Sequence, residues 1–404
     1  MSLETAADTL AKHLVSLEYV EMYAYHDADG IASAAIMSLA LSRAEIAFKL
    51  RILPGISEAD VENPEISLLC DFGASCTGLG EGTMIIDHHV PYNNTSPYHV
   101  NPRMFGEDGE TDLSGAGCAY LVANAIGDNR DLVGLVMLGI IGDDQTLSGR
   151  NEMIIGDAVA NNLVNPGHGL LLAGRTTKEQ ISSSLHPYLP GLSGEVEKAA
   201  AVERVCQSRV SDEAYTSCML AQIVLESDAS YEALMNLYGD SWSLEREVIQ
   251  NARAFTAVVD ACGKAGKAGI AYALCCGDAS YLDEAWETAV AYRNHVISVV
   301  KSAEKIHESP AVWQVSDGGA ASDAADVLIE SSDSPMFVVG RGTASLRVSA
   351  RAQRGSSLNL EQILKGVAES CNGSGGGHRL RAWADVPFDR EAEFISGLEA
   401  AVCA

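Results

Sequence analysis

Four short segments carry side chains suited to divalent cations: His26-Asp27-Ala28-Asp29-Gly30, Asp71-Phe72-Gly73, Asp87-His88-His89 and Gly142-Asp143-Asp144. Each has an ordinary explanation on its own, since an aspartate after a strand commonly caps a helix or closes a turn. Four such turns gathered on one sheet edge are different, because carboxylates brought together repel unless cations sit between them. Oxygen-rich ligation with one or two imidazoles suits manganese or magnesium better than zinc, since no thiolate is placed to help. Two ions bridged by a shared carboxylate, about 4 Å apart, would activate a water and hold phosphoryl oxygens during in-line attack.

A second pattern lies near the C-terminus. The glycine run 373–377, interrupted by Ser374 and followed by His378, offers backbone N–H groups with no Cβ in the way of an anion. Arg347, Arg351 and Arg354 precede it, and alternation places Arg347 and Arg351 on one face of a strand. The arginine fork of donors matches phosphate.

The elements that must position these groups follow from the pattern of the chain. Tyr19–Tyr25, Ser67–Cys70 and 83–86 read as short strands, 31–43 and Gly115–Ile126 as helices, and 132–141 as a buried apolar helix. This is the βαβ pattern of a parallel sheet covered by helices, in which ligands bind beyond the carboxyl ends of the strands. From about residue 190 the chain turns charged and alanine-rich, and 194–210 and 231–260 read as a helical connector. A second α/β unit is expected to begin near Gly269, with a long helix over 281–306 and strands near Ala311, Met336 and Leu346. It closes with the glycine loop and a last helix over 390–401. The expected architecture is therefore α/β: an N-terminal parallel-sheet domain over 1–190, a helical connector over 191–262 and a smaller C-terminal α/β substrate-binding domain over 263–404.

Composition narrows the partners. The 404 residues exceed what one compact core usually holds, and 47% hydrophobic with 20% charged residues excludes a disordered chain. The longest apolar run is ten residues broken by Gly134 and Gly139, against ~20 for a membrane span, and the N-terminus lacks a secretory pattern. No membrane partner is expected. Ten scattered cysteines without a CxxC pair read as reduced thiols, so a cytoplasmic location is expected. The net charge of −28 argues against nucleic acid at first sight, but residues 337–383 hold seven basic and two acidic side chains. That local +5 puts any phosphate grip on the C-terminal part of the chain.

The ordered set HDADG, DFG, DHH and GDD resembles the DHH phosphoesterases. The glycine run with His378, preceded by Leu346-Arg347-Val348-Ser349-Ala350-Arg351, is similar to the DHH-associated C-terminal domain that binds the nucleotide or nucleic acid. Asp29-Gly30-Ile31-Ala32-Ser33-Ala34 and His186-Pro187-Tyr188-Leu189-Pro190-Gly191 resemble the archaeal RecJ-like nucleases, the GINS-associated form included. The resemblance implies two divalent metal ions, with manganese preferred over magnesium. It implies that Asp27 binds one ion, Asp29 the other and Asp71 bridges them. His88 and Asp143 complete the second site, His89 contacts the scissile phosphate, and Asp87 orients the neighbouring histidine. Arg347, Arg351, Gly375, Gly376, Gly377 and His378 would join His89 in holding the substrate. The chain departs from the family in its first motif: where relatives carry a histidine four or two residues before the first aspartate, it has Tyr23 and Tyr25. His26 is the one imidazole in that turn and is retained as a further candidate ligand, although alternation along an extended strand points it away from Asp27.

The function implied is a metal-dependent single-strand exonuclease of RecJ type, working 5′ to 3′ on DNA or RNA in replication or repair. Two alternatives stay open. One is a nanoRNase or 3′-phosphoadenosine 5′-phosphate phosphatase. The other is a catalytically weak replisome subunit that binds GINS and the replicative helicase, a reading supported by the two tyrosines and opposed by the intact set of acids and histidines.

Overall fold

The computed structural model describes residues 2–92, 96–209 and 211–402. Val210 and Cys403 lie outside them, and the other nine cysteines are free thiols. The chain divides into two compact units, Met1–Gly169 with Asp240–Tyr292 and Leu170–Gly239 with Arg293–Ala404. No helix among the described residues is long and apolar enough to cross a membrane.

The first unit opens with α1 (Leu3–Val15), β1 (Tyr19–Tyr25), α2 (Ala28–Arg43), β2 (Ala47–Leu53), β3 (Ser67–Cys70), β4 (Met84–Ile86) and β5 (His99–Val100). The five strands form one sheet in the order β2-β1-β3-β4-β5, and every pairing is parallel. This arrangement sets β1, β3 and β4 side by side, so the turns that follow them, bearing Asp27, Asp71 and Asp87-His88-His89, emerge at one edge. There follow α3 (Gly115–Ile126), α4 (Val133–Gly142), α5 (Gly149–Ala160) and β6 (Val164–Leu170). Thirteen of the sixteen residues of α2 are buried, which explains its run of Ala, Gly and Ser: small side chains let α3 and α4 pack closely against it.

Residues 170–239 hold α6 (Thr177–Ser182), α7 (Val196–Cys206), α8 (Asp212–Glu226) and α9 (Tyr231–Met235), and then β7 (Tyr238–Leu244), which pairs with β6. The helices share a core of Leu172, Ile181, Leu189, Leu192, Val202, Met219 and Ile223. The sequence segments 1–190, 191–262 and 263–404 are thus not the units of the fold. The His186–Gly191 motif belongs to the second unit, because Leu189 enters this helical core and Tyr188 donates its backbone N–H to Glu330 at 3.0 Å. Conversely, α10 (Ala252–Lys264) and α11 (Ala268–Cys275) belong to the first unit, where Phe255, Val258, Val259 and Cys262 are buried and α10 packs on α4 and α2. Residues 269–275, expected to open a second α/β unit, are the helix α11, and 231–260, expected as one helix, is a helix, a strand and a helix.

After α12 (Leu282–Lys301) come β8 (Glu304–His307), β9 (Ala311–Val315), α13 (Ala321–Ile329), β10 (Met336–Arg341), β11 (Leu346–Arg351), α14 (Leu360–Ser370), β12 (Ser374–Gly377), β13 (Arg381–Val386) and α15 (Glu391–Val402). Their sheet runs β12-β13-β11-β10-β9-β8, antiparallel except for β9 with β10. One face buries Phe337, Val339, Leu346, Val348, Ala350, Ala382, Ala384 and Val386 with Leu360 and Leu364 of α14 and Phe394 and Leu398 of α15. The glycine run is an edge strand and not a free loop, since 374–377 pair in register with 382–385.

Candidate metal centre

Asp29 sits in the first turn of α2, wholly buried, and its carboxylate accepts the backbone N–H groups of Gly115 and Ala116, each at 2.7 Å. Those are unsatisfied donors of the first turn of α3, so the positive end of a helix fixes the carboxylate in place. Asp27 caps α2 through the Gly30 N–H at 3.0 Å. Asp71 follows β3 with φ of +62°, a left-handed conformation uncommon for a non-glycine residue, and its N–H is held by the Ile86 carbonyl at 2.8 Å. Asp143 stands at the C-terminal end of α4.

His88 brings three of these acids together, Asp29, Asp71 and Asp143, and not Asp27. Its Nε2 lies 3.6 Å from Asp29 Oδ2, 3.3 Å from Asp71 Oδ1 and 3.1 Å from Asp143 Oδ2. Its Nδ1 lies 2.6 Å from the Gly109 carbonyl, which can only accept, so Nδ1 carries a proton and the lone pair of the neutral ring at Nε2 faces the carboxylates. Asp71 Oδ1 is buried and makes no hydrogen bond. A cation is the partner that electron-pair donors converging in this way require. The protonation tendencies agree. Burial first, and then the Asp143 charge, push Asp29 up to about 7; burial and the Asp29 charge push Asp71 well above the usual carboxylate range; burial and Asp143 also raise Asp27. Burial alone would lower the His88 pKa, but Asp143 and Asp71 raise it well above the usual histidine value.

Glycines make room for the cluster. A Cβ on Gly139 would stand 2.0 Å from Asp29 Oδ1, and one on Gly115 would stand 2.6 Å from Asp71 Oδ1 and 2.9 Å from Asp29 Oδ2. Asp29, Asp71 and His88 present donor atoms close enough to share one ion, and Asp71, Asp87 and His89 form a second such group. Oxygen donors with imidazole fit a hard divalent cation.

Asp87 is a different kind of carboxylate. It accepts the Ala74 N–H at 2.8 Å, the His88 and His89 N–H groups at 2.7 and 3.0 Å, and His89 Nδ1 at 2.7 Å. Burial opposes ionisation there, but the His89 charge and hydrogen bonds outweigh it and hold the carboxyl below its usual range. His89 is therefore turned by Asp87, with its side chain 31% exposed.

Several supporting residues were not legible as such. Arg103 Nε donates to the His88 carbonyl at 2.9 Å, Asn101 donates to the His89 carbonyl at 2.9 Å, and Gln145 donates to the Gly109 carbonyl at 3.1 Å while accepting from Asn151 at 2.8 Å. The signal for the α3 contact was Ser114-Gly115-Ala116-Gly117, a capping serine followed by glycines that admit a close neighbour. Of the other sequence candidates, Tyr23 is core, packed with Leu69 and Ile85 and with its hydroxyl between Glu21 and Arg51. His26 stacks edge-on against Tyr25, ring centroids 4.8 Å apart, and is absent from both ion-sharing groups of this unit.

In the second unit, Arg351 is not a surface phosphate ligand. Its guanidinium is buried and gives two hydrogen bonds to Asp326 of α13, at 2.5 and 3.0 Å, and two to the hydroxyl and carbonyl of Ser322. Arg347, on the same sheet face, stays half exposed. Gly375, Gly376 and Gly377 lie in β12, so part of their backbone donor capacity serves the sheet, and His378 donates its N–H to the Arg381 carbonyl.

Comparison with known proteins accords with this geometry. Residues 311–403 match the DHHA1 domain. An uncharacterized protein of Methanocaldococcus jannaschii is 24% identical over 408 residues, covering 94% of this chain and 92% of that one. RecJ of Thermus thermophilus, solved in complex with Mn2+, superposes with a TM-score of 0.60 at 18% identity over 99% of this chain; the chain spans 54% of that protein's length. Cdc45 of Entamoeba histolytica gives a TM-score of 0.62 at 11% identity, covering 100% of this chain and 99% of that one. The C-terminal part of the chain is thus a DHHA1 domain, and the chain as a whole has the RecJ-like DHH fold.

Proposed function

We propose that this protein is a divalent-metal-dependent phosphodiesterase, a RecJ-like single-strand exonuclease working 5′ to 3′ on DNA or RNA. The observation that carries the reading is the convergence of Asp29, Asp71 and Asp143 on His88 Nε2, with Asp71 Oδ1 lacking any hydrogen bond. Asp27, Asp29, Asp71, His88 and Asp143 would hold two ions, manganese or magnesium. Bound there, such ions neutralise phosphoryl charge and make a hydroxide nucleophile available at neutral pH.

The chain's own groups supply the rest. The α3 N-terminus aims Asp29 and favours its ionised form against the rise that burial causes, and the Gly109 carbonyl keeps the His88 proton on Nδ1. Asp87 does the same for His89, turning its Nε2 toward the role of meeting a non-bridging phosphate oxygen or moving a proton at the leaving oxygen. Arg347, whose guanidinium is half exposed, would hold a phosphate of the strand.

The fold likeness to Cdc45 favours one competing reading, a replisome subunit with little or no hydrolytic activity that binds GINS. Digestion of end-labelled single-stranded DNA and RNA with manganese separates the two. The expected result is a ladder growing from the 5′ end, lost by a factor of about 10³ or more in Asp71→Asn, the scale on which transition-state charge stabilisation disappears. A pure protein that cleaves neither strand with any divalent metal overturns the exonuclease. Cleavage confined to dinucleotides or to 3′-phosphoadenosine 5′-phosphate moves the assignment to a nanoRNase or bisphosphate phosphatase.

A further inference from the structure

Trp383 has no place in the core. Along β13 the burial alternates, with Ala382, Ala384 and Val386 packed under α14 and α15 while Trp383 points to the opposite face and remains 45% exposed. In register across the sheet, Trp383 pairs with Ser349 on one side and Gly376 on the other. The Ser349 side is covered: Ser349 and its neighbour Val338 are buried, and α13 packs over β10 and β11. On the other side there is only glycine backbone. The Nε1, Cε2 and Cζ2 atoms of the indole lie 3.5–3.6 Å from where a Gly376 Cβ would stand, so one edge of the ring rests on β12. Solvent takes much of the remainder.

The surroundings carry both signs of charge, two guanidiniums with the Asp385 and Asp326 carboxylates beside them. Arg347 and Arg381 occupy the positions on either side of this row on the same face, with side chains 49% and 39% exposed. Arg347 faces Asp385 at 3.6 Å, an ion pair without a hydrogen bond, so its donors are open to a stronger acceptor. An exposed indole beside a half-exposed guanidinium suits an unpaired base on a phosphodiester backbone: the ring takes the base face and Arg347 a phosphate, while Arg381 stays hydrogen-bonded to Asp326. Inorganic phosphate chains would use the arginines and ignore the indole.

We propose that Trp383 is a base-stacking platform, which makes the ligand of this sheet face an unpaired nucleobase-bearing strand. This deepens the nuclease reading and rests on it for the identity of the substrate, but binding at Trp383 requires no cleavage. A purely structural role, shielding the Gly376 backbone, is the alternative.

The test is a binding titration of the full chain in EDTA, where hydrolysis is off. Trp383→Phe subtracts the other three tryptophans from the emission, leaving the Trp383 signal. Short oligothymidylate should quench that signal, while tripolyphosphate and an abasic phosphodiester chain should not. Trp383→Ala should weaken oligothymidylate binding roughly tenfold or more, with Trp383→Phe retaining most of the affinity. If Trp383→Ala binds the strand as tightly as the parent, or if tripolyphosphate quenches equally, the platform is refuted; a lowered melting temperature with unchanged affinity assigns the ring to Gly376 alone. Quenching without metal-dependent cleavage would leave the platform standing and remove the nuclease.

Discussion

Two buried clusters of charge in this molecule are built on opposite plans. In the second unit, Asp326 lies between Arg351 and Arg381, and although burial opposes ionisation, the two guanidiniums and the hydrogen bonds hold its carboxyl below the usual range. In the first unit, burial raises the pKa of Asp27, Asp29 and Asp71, and neighbouring carboxylates add to the rise in each. A carboxylate supplied with its own cation is part of the scaffold. A set of buried carboxylates that raise one another's pKa is suited to receive cations from outside.

The largest consequence is that one chemical change should act with opposite sign in the two places. Asp326→Asn leaves the buried Arg351 guanidinium without its counter-charge and should cost about 3–5 kcal/mol, the scale for breaking a buried pair from one side. Asp71→Asn in metal-free protein removes like-charge repulsion and should raise the melting temperature by a few degrees. With manganese present the second effect should reverse, because the parent then gains metal-binding energy that the variant lacks. Thermal unfolding of both variants with and without manganese checks this, and equal destabilisation of both in EDTA would erase the distinction.

The same contrast predicts two slopes against pH. Groups whose folded pKa is raised bind protons more tightly in the native state, so their contribution is full below the unfolded pKa and fades as pH rises through the folded one. For Asp29 that window runs from about 4 to about 7, and the raised pKa of His88 extends the loss in the same direction. Asp326 behaves conversely: its lowered pKa contributes stability above the unfolded value, lost as pH falls below it. Metal-free protein should therefore lose stability between about pH 4 and 7, and saturating manganese should flatten or invert that slope. A pH profile indifferent to manganese would contradict the receptor reading.

The receptor was legible in the sequence because its parts are local. Asp27, Asp71 and Asp87-His88 each follow a short strand, and a parallel sheet brings strand ends together whatever the distance along the chain, so these three turns could be grouped from order alone. Asp326 was silent because its meaning depends on Arg351 and Arg381, 25 and 55 residues away, and nothing local distinguishes a guanidinium turned under α13 from one facing solvent. For the same reason Arg351 read as a phosphate ligand alongside Arg347. The glycine run read as a loop because glycine disfavours strands, and only pairing with 382–385 overrides that preference. The division into units escaped for a related reason: residues 240–292 return to the first unit through the apolar face of α10, a contact that sequence proximity does not announce.

The smallest effect concerns how finely the receptor is tuned. Gln145 shares the Gly109 carbonyl with His88 Nδ1, its amide nitrogen 3.1 Å from that oxygen and 3.4 Å from the ring nitrogen, and its own orientation is set by Asn151. Replacing it with leucine keeps the volume but removes the second donor to the carbonyl, so the group that orients the ring is itself held less firmly. Support of this kind around a ligating histidine is worth about 10–100-fold in metal affinity. Gln145→Leu should accordingly weaken manganese binding by calorimetry within that range, while activity at saturating manganese stays close to the parent. Loss of activity that excess metal does not restore would mean that Gln145 acts on the substrate and not through His88. In the arginine-paired cluster the counterpart is Ser322, whose hydroxyl accepts one N–H of Arg351 beside the two hydrogen bonds that Asp326 takes; Ser322→Ala should change stability by about 1 kcal/mol or less.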